Sequence, residues 1–126
     1  MNPRNVFLGL LLTLLAAGAK AEVLTLQWDA NRQFAHEGTL APGKFLEVCG
    51  KLAAASRIDW SFQASAPLLS NVHYHQGKEV IYPARHPASS SLSERLVAPV
   101  DQEYCWMWTN RSDLAAKLSL RLVQAD

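Results

Sequence analysis

The sequence predicts an all-β domain: an antiparallel β-sandwich of about seven to eight short strands, jelly-roll-like in character. Three observations carry that prediction. Apolar and polar residues alternate with period two in several segments between Val23 and Leu122, which turns one face of each segment toward a core. Turn-forming residues separate those segments, as at Pro42-Gly43, Gln76-Gly77, Pro99 and Asn110-Arg111-Ser112-Asp113. Helix-tolerant sequence is confined to Ala53-Ala54-Ala55 and the stretch from Asp113 to Lys117, both too short to stand as core helices.

The first residues read differently from the rest. Arg4 precedes an uncharged apolar run from Val6 to Ala17, and Ala19-Lys20-Ala21 follows. A basic start, a short apolar middle and an A-x-A end mark a secretory signal peptide. The expected division is therefore a signal peptide over 1–21 and a single β-sandwich domain over 22–126, destined for the periplasm or secretion. The apolar run is short for a bilayer span, and the sequence has no second one, so no transmembrane anchor is expected in the mature chain. Loss of Arg4 and Lys20 reduces twelve basic side chains to ten, against eleven acidic ones. A near-neutral domain is a poor electrostatic binder of nucleic acid or anionic membranes.

Taken in order, Val23 to Trp28 sets Leu24, Leu26 and Trp28 on one face and Thr25 and Gln27 on the other. Asn31 to Pro42 is mixed and polar, and a strand follows Pro42-Gly43 from Lys44 to Cys49. The clearest alternation runs from Ile58 to Ala64, with Ile58, Trp60, Phe62 and Ala64 inward. Asn71 to His75 and Lys78 to Tyr82 form a hairpin about Gln76-Gly77, where Gly77 can take the positive φ of a tight turn. That register places Lys78 opposite His75, Val80 opposite His73 and Tyr82 opposite Asn71. Pro83, His86-Pro87 and the serines 89 to 91 read as a polar connection before a strand from Glu94 to Val97. Glu103 to Thr109 is apolar on both faces, as a central strand should be. Leu118, Leu120 and Leu122 alternate with Ser119 and Arg121 in a closing strand.

Cys49 and Cys105, the only two cysteines, lie 56 positions apart in the exported part. An oxidising compartment favours a disulfide between them, and closing that loop contributes roughly 3 to 5 kcal/mol. The competing reading is a reactive or metal-binding thiol pair; neither cysteine lies in a C-x-x-C.

The segment Tyr104-Cys105-Trp106-Met107-Trp108-Thr109-Asn110, followed by Lys117-Leu118-Ser119-Leu120-Arg121-Leu122, resembles the end of a GOLD domain. In that family an aromatic strand ends at an Asn before a last alternating strand. Several members link an early-strand cysteine to one in the aromatic strand, a pattern Cys49 and Cys105 match. The resemblance implies a compact β-sandwich that binds protein or lipid-like partners in the cell envelope or secretory lumen and does no chemistry. The chain departs from membrane-anchored members, which continue into a helical segment and a transmembrane helix. That departure removes the expectation of cargo sorting and favours a soluble exported relative.

Several side chains invite a chemical reading. His73 and His75 share a strand face, and two imidazoles so placed can hold zinc or copper if a third ligand joins them. The hairpin face supplies no carboxylate, so His86, or else His36, is the expected third ligand. Cys105 and Met107 could add soft ligands to a copper set, although a disulfide would consume Cys105. The cluster of Trp60, Phe62, Tyr104, Trp106 and Trp108 reads as core; an open face of it would be a partner surface. The expected partner surface comprises Tyr74, Tyr82, Trp106 and Trp108. Asn110-Arg111-Ser112 matches an N-glycosylation acceptor. The sequence contains no G-x-S-x-G, no H-E-x-x-H and no glycine-rich phosphate loop, so an exported binding module without a cofactor is expected, and a periplasmic zinc or copper protein is the alternative.

Overall fold

The computed structural model describes residues 22–126, and the signal-peptide reading of residues 1–21 lies outside them. Seven strands follow one another: β1 (Glu22–Thr25), β2 (Gln33–Leu40), β3 (Phe45–Leu52), β4 (Arg57–Gln76), β5 (Glu79–Val97), β6 (Gln102–Thr109) and β7 (Ala116–Ala125). They form one curled mixed sheet in the order β1-β3-β6-β4-β7-β2, with β5 paired along β4. The curl comes from β4, which changes partner halfway. Its first half, Arg57 to Ala64, pairs with β7, and its second half, Leu69 to His73, pairs with β6. Pro67 falls in the register break between these halves. The sheet thereby folds over on itself as a sandwich or half-barrel, and the core lies between the two halves.

That core is aromatic. Trp60, Trp106, Trp108 and Tyr104 are fully buried together with Ile58, Leu68, Leu122, Val48 and Val72. Trp108 meets Trp60 and Phe62 edge-on at 6.3 and 6.1 Å, the geometry that places a ring edge on a π-face. The Tyr104 hydroxyl donates to the Val100 carbonyl at 2.7 Å, which ties the loop before β6 to the core. The buried set matches the inward faces expected from alternation in β4, β6 and β7.

Four departures from the sequence expectation have physical causes. β1 pairs parallel to β3, not antiparallel, because the chain crosses to β2 on the far side of the curl before returning as β3. Gln33–Leu40 is a full strand on β7; its apolar content is low because it is an edge strand with mostly exposed or half-buried side chains. The polar connection after Tyr82 is also strand, so β4 and β5 make one long hairpin of 20 and 19 residues. Pro83 and Pro87 are tolerated there because each lies at a register shift, on an edge strand where a missing N–H breaks no ladder bond. Finally, the hairpin turns at Gly77-Lys78, with Gln76 opposite Glu79. Gly77 has φ +60° at the first turn position, as a type II′ turn requires.

Candidate binding face

The turn position decides what the outer face presents beside the second half of β4. With Gln76 opposite Glu79, Val80 lies opposite His75, and Lys78 sits in the turn. Partners shift by two places relative to the expected register, and a shift of two keeps every side chain on its face. Tyr82 consequently stands beside His73, with ring centroids 5.8 Å apart.

Pairing across four strands then builds the face in rows. One row runs Cys49, Cys105, His73, and the next runs Glu47, Met107, Asn71, Arg85. Cys49 and Cys105 are directly cross-strand, with Cα atoms 4.1 Å apart, and are joined as a disulfide. His73 is 5% exposed although it lies on the outer side of the sheet. Its Nδ1 is 2.7 Å from Asn71 Oδ1, and its Nε2 is 3.2 Å from Glu47 Oε1. Both neighbours are acceptors, so only an imidazolium bonds to both. Burial nevertheless pushes the His73 pKa down; the Glu47 carboxylate opposes that and nearby His75 reinforces it. Burial prevails in that balance.

Around this fixed centre the surface is open. His75 is exposed and meets His73 edge-on at 5.5 Å. Tyr82 is 40% exposed, and the Arg85 guanidinium sits 4.0 Å above its ring. A cation over a tyrosine face is a favourable and orienting contact.

The structure brings some of the expected site residues together and separates others. His73 and His75 are neighbours, as alternation requires. His86 is not with them: it pairs with Ser70, whose side chain is buried, its Nε2 bonds Glu94, and its ring lies 5.9 Å from Trp60. Trp106 and Trp108 are fully buried and Tyr74 is 7% exposed, so these three belong to the core and only Tyr82 remains for a partner. β6 alternates and its aromatic side faces inward, as does Tyr74 on β4. Met107 shares the face of Cys105, which proves to be the outer one, but Cys105 is consumed by the disulfide. Asn110 is fully buried, and its Nδ2 donates to the carbonyls of Leu40 and Leu114; the folded chain offers that nitrogen to no glycosylating enzyme. Sequence reasoning missed Glu47, Asn71 and Arg85. Asn71 was within reach, two residues before His73 on the same face. Glu47 needed the β3–β6 register, which a directly cross-strand Cys49–Cys105 pair fixes.

The fold has known counterparts. The chain is similar to the Aeromonas hydrophila PliG structure, a periplasmic inhibitor of g-type lysozyme. That match has a TM-score of 0.65 and 12% identity, over 84% of this chain and 98% of that one. The Salmonella Typhimurium PliG structure gives 0.61 and 10%, over 84% and 100%. The pre-peptidase C-terminal domain of Bacillus anthracis collagenase gives 0.60 and 15%, over 82% and 94%. At these identities the likeness is one of fold. No protein-family model and no curated protein sequence matches the chain.

Proposed function

We propose that the protein is an exported, non-catalytic binding module of the cell envelope. In this reading it docks a protein partner on the face made by His75, Tyr82 and Arg85. The observation that carries the reading is the Tyr82–Arg85 pair: a half-exposed aromatic ring under a guanidinium, set on the nearly buried His73. Tyrosine and arginine in a rigid, partly desolvated setting are the side chains that dominate binding energy at protein interfaces. Tryptophans and leucines fill the interior, so recognition falls on the surface, which favours a protein over an acyl chain. The GOLD-type resemblance supports the same class of function, with its early-strand to aromatic-strand bridge present here as Cys49–Cys105.

The partner we favour is a secreted hydrolase of the cell-wall glycan, because two of the similar folds belong to inhibitors of g-type lysozyme. The test is calorimetric titration of the purified protein with a g-type lysozyme, together with the lysis rate of a cell suspension. Binding and slowed lysis are expected, with Tyr82→Ala and Arg85→Ala each weakening the complex about tenfold or more. A lysozyme that binds neither form rules out this partner. Binding that survives both substitutions unchanged rules out this face.

A further inference from the structure

The pair formed by His73 Nε2 and Glu47 Oε1, 3.2 Å apart, has a second neighbour. One donor atom each from Glu47, His73 and Cys105 lie within 4.8 Å of one another, and Cys49 is bonded to Cys105. While the disulfide stands, neither sulfur is a thiolate, and the set lacks the ligand that binds metals most strongly. Reduction changes this. A dithiol donor gives two electrons and two protons to the Cys49–Cys105 bond and leaves as its own disulfide; two thiols result.

We infer that the reduced protein is a zinc site, with His73 Nε2, Glu47 Oε1 and the Cys105 thiolate as its protein ligands; the Cys49 sulfur groups with Cys105 and Glu103 instead. Three features of the oxidised structure point to it. Tetrahedral zinc bond lengths of about 2.0 to 2.3 Å place donor atoms roughly 3.3 to 3.8 Å apart, and Nε2 and Oε1 are already 3.2 Å apart. Asn71 Oδ1 lies 2.7 Å from Nδ1, placed to hold a proton there and free the Nε2 lone pair for a metal, the usual outer-sphere arrangement of a ligating histidine. The set is also sheltered: His73 and Cys105 are 5% and 8% exposed. Zinc binding releases the Cys105 thiol proton to solvent. Glu103 also lies within 4.8 Å of both sulfurs, but it is exposed and belongs to a cluster without the imidazole. The disulfide therefore acts as a gate, closed to metal when oxidised and open when reduced.

The experiment is cobalt(II) titration of the purified protein, oxidised and after phosphine reduction, followed by zinc displacement, with circular dichroism on every sample. Expected are one equivalent of cobalt in the reduced protein, with thiolate charge-transfer and tetrahedral ligand-field bands that zinc abolishes, and none in the oxidised protein. Cys105→Ser removes the bands, whereas His73→Gln and Glu47→Gln each weaken binding tenfold or more. If reduction alone melts the sheet, zinc restores its signal. Three results overturn the inference: no bands in the reduced protein; bands indifferent to His73→Gln and Glu47→Gln, which mark a bare dithiol; or metal bound without the sheet signal.

Discussion

Asn110 shows how one polar side chain can hold several segments. It is fully buried; its Nδ2 donates to Leu40 and Leu114, and its Oδ1 accepts from the Ser112 N–H and Oγ. Its backbone N–H donates to Lys44, and its carbonyl accepts from Gly43. The end of β2, the start of β3 and the loop before β7 thus meet at one residue. In Asn110→Ala the buried Leu40 carbonyl loses its donor, at a cost of about 1 to 3 kcal/mol, whereas the exposed Leu114 carbonyl keeps the Ser112 hydroxyl. The expected outcome in urea is a stability lowered by about 1 to 3 kcal/mol, read as a lower midpoint with an unchanged slope. Asn110→Asp should cost at least as much, because its carboxylate would face the same two carbonyls without a proton. Gly50 makes a different kind of demand. A Cβ built there would lie 2.7 Å from Leu26 Cβ, on the segment just after β1. Leu26 donates its N–H to the Cys49 carbonyl at 2.7 Å, so it cannot withdraw without breaking that bond. Gly50→Ala is expected to destabilise by about 1 to 3 kcal/mol and to speed amide exchange in β1, read by hydrogen exchange.

The long hairpin β4–β5 is the element that gives the molecule its shape, and it was the least legible in the sequence. Ile58 to Ala64 announces itself because apolar side chains face a core on one side and Asp59, Ser61 and Gln63 face water on the other. Ser89 to Ser93 does not, because an edge strand rich in serine buries little and its prolines suggest a break. Gln33–Leu40 was hidden for the same reason. What was legible is what the core fixes: the inward faces of β4, β6 and β7, and the shared face of His73 and His75. What was not is register, which depends on where the chain turns and on which distant strand it meets. The expected metal set failed at His86 for that reason, since its position opposite Ser70 turns it away from His73. One consequence at this scale is pH dependence along the hairpin. Arg95 donates two hydrogen bonds to Asp59 across β4 and β5, at 2.7 and 3.0 Å. These bonds hold the Asp59 carboxyl below its ordinary value of 3.8. A carboxyl with a depressed folded pKa stabilises the fold above its unfolded pKa and loses that contribution as pH falls through the folded value. Both side chains are about half exposed, so the contribution is small. Asp59→Asn is expected to lower the thermal midpoint modestly at neutral pH, with the gap to wild type closing well below pH 3.8. A gap that persists in acid would mean packing, not charge, is what the substitution disturbs.

At the scale of the whole molecule, the disulfide joins strands that are neighbours in space and 56 residues apart in sequence. The entire β4–β5 hairpin lies inside the loop it closes. Chain-entropy arguments give such a closure about 4 kcal/mol, a large part of the 5 to 15 kcal/mol that holds a typical domain. The kinetic consequence is sharper than the equilibrium one. β6 lies between β3 and β4 and carries Trp106 and Trp108 into the core, so the aromatic core cannot condense until β6 has found β3. In the oxidised chain that encounter is already made. In Cys49→Ala/Cys105→Ala the unfolded chain must close the loop before the transition state is reached, as non-local pairing in β-folds generally requires. The lost stability should therefore appear in the folding limb of a chevron plot, as refolding slowed about 100-fold or more, with the unfolding limb little changed. If instead unfolding accelerates and refolding keeps its rate, β3 and β6 pair after the barrier, and the core nucleates on the β4–β7 half of the curl, where Trp60 and Leu122 already lie in register.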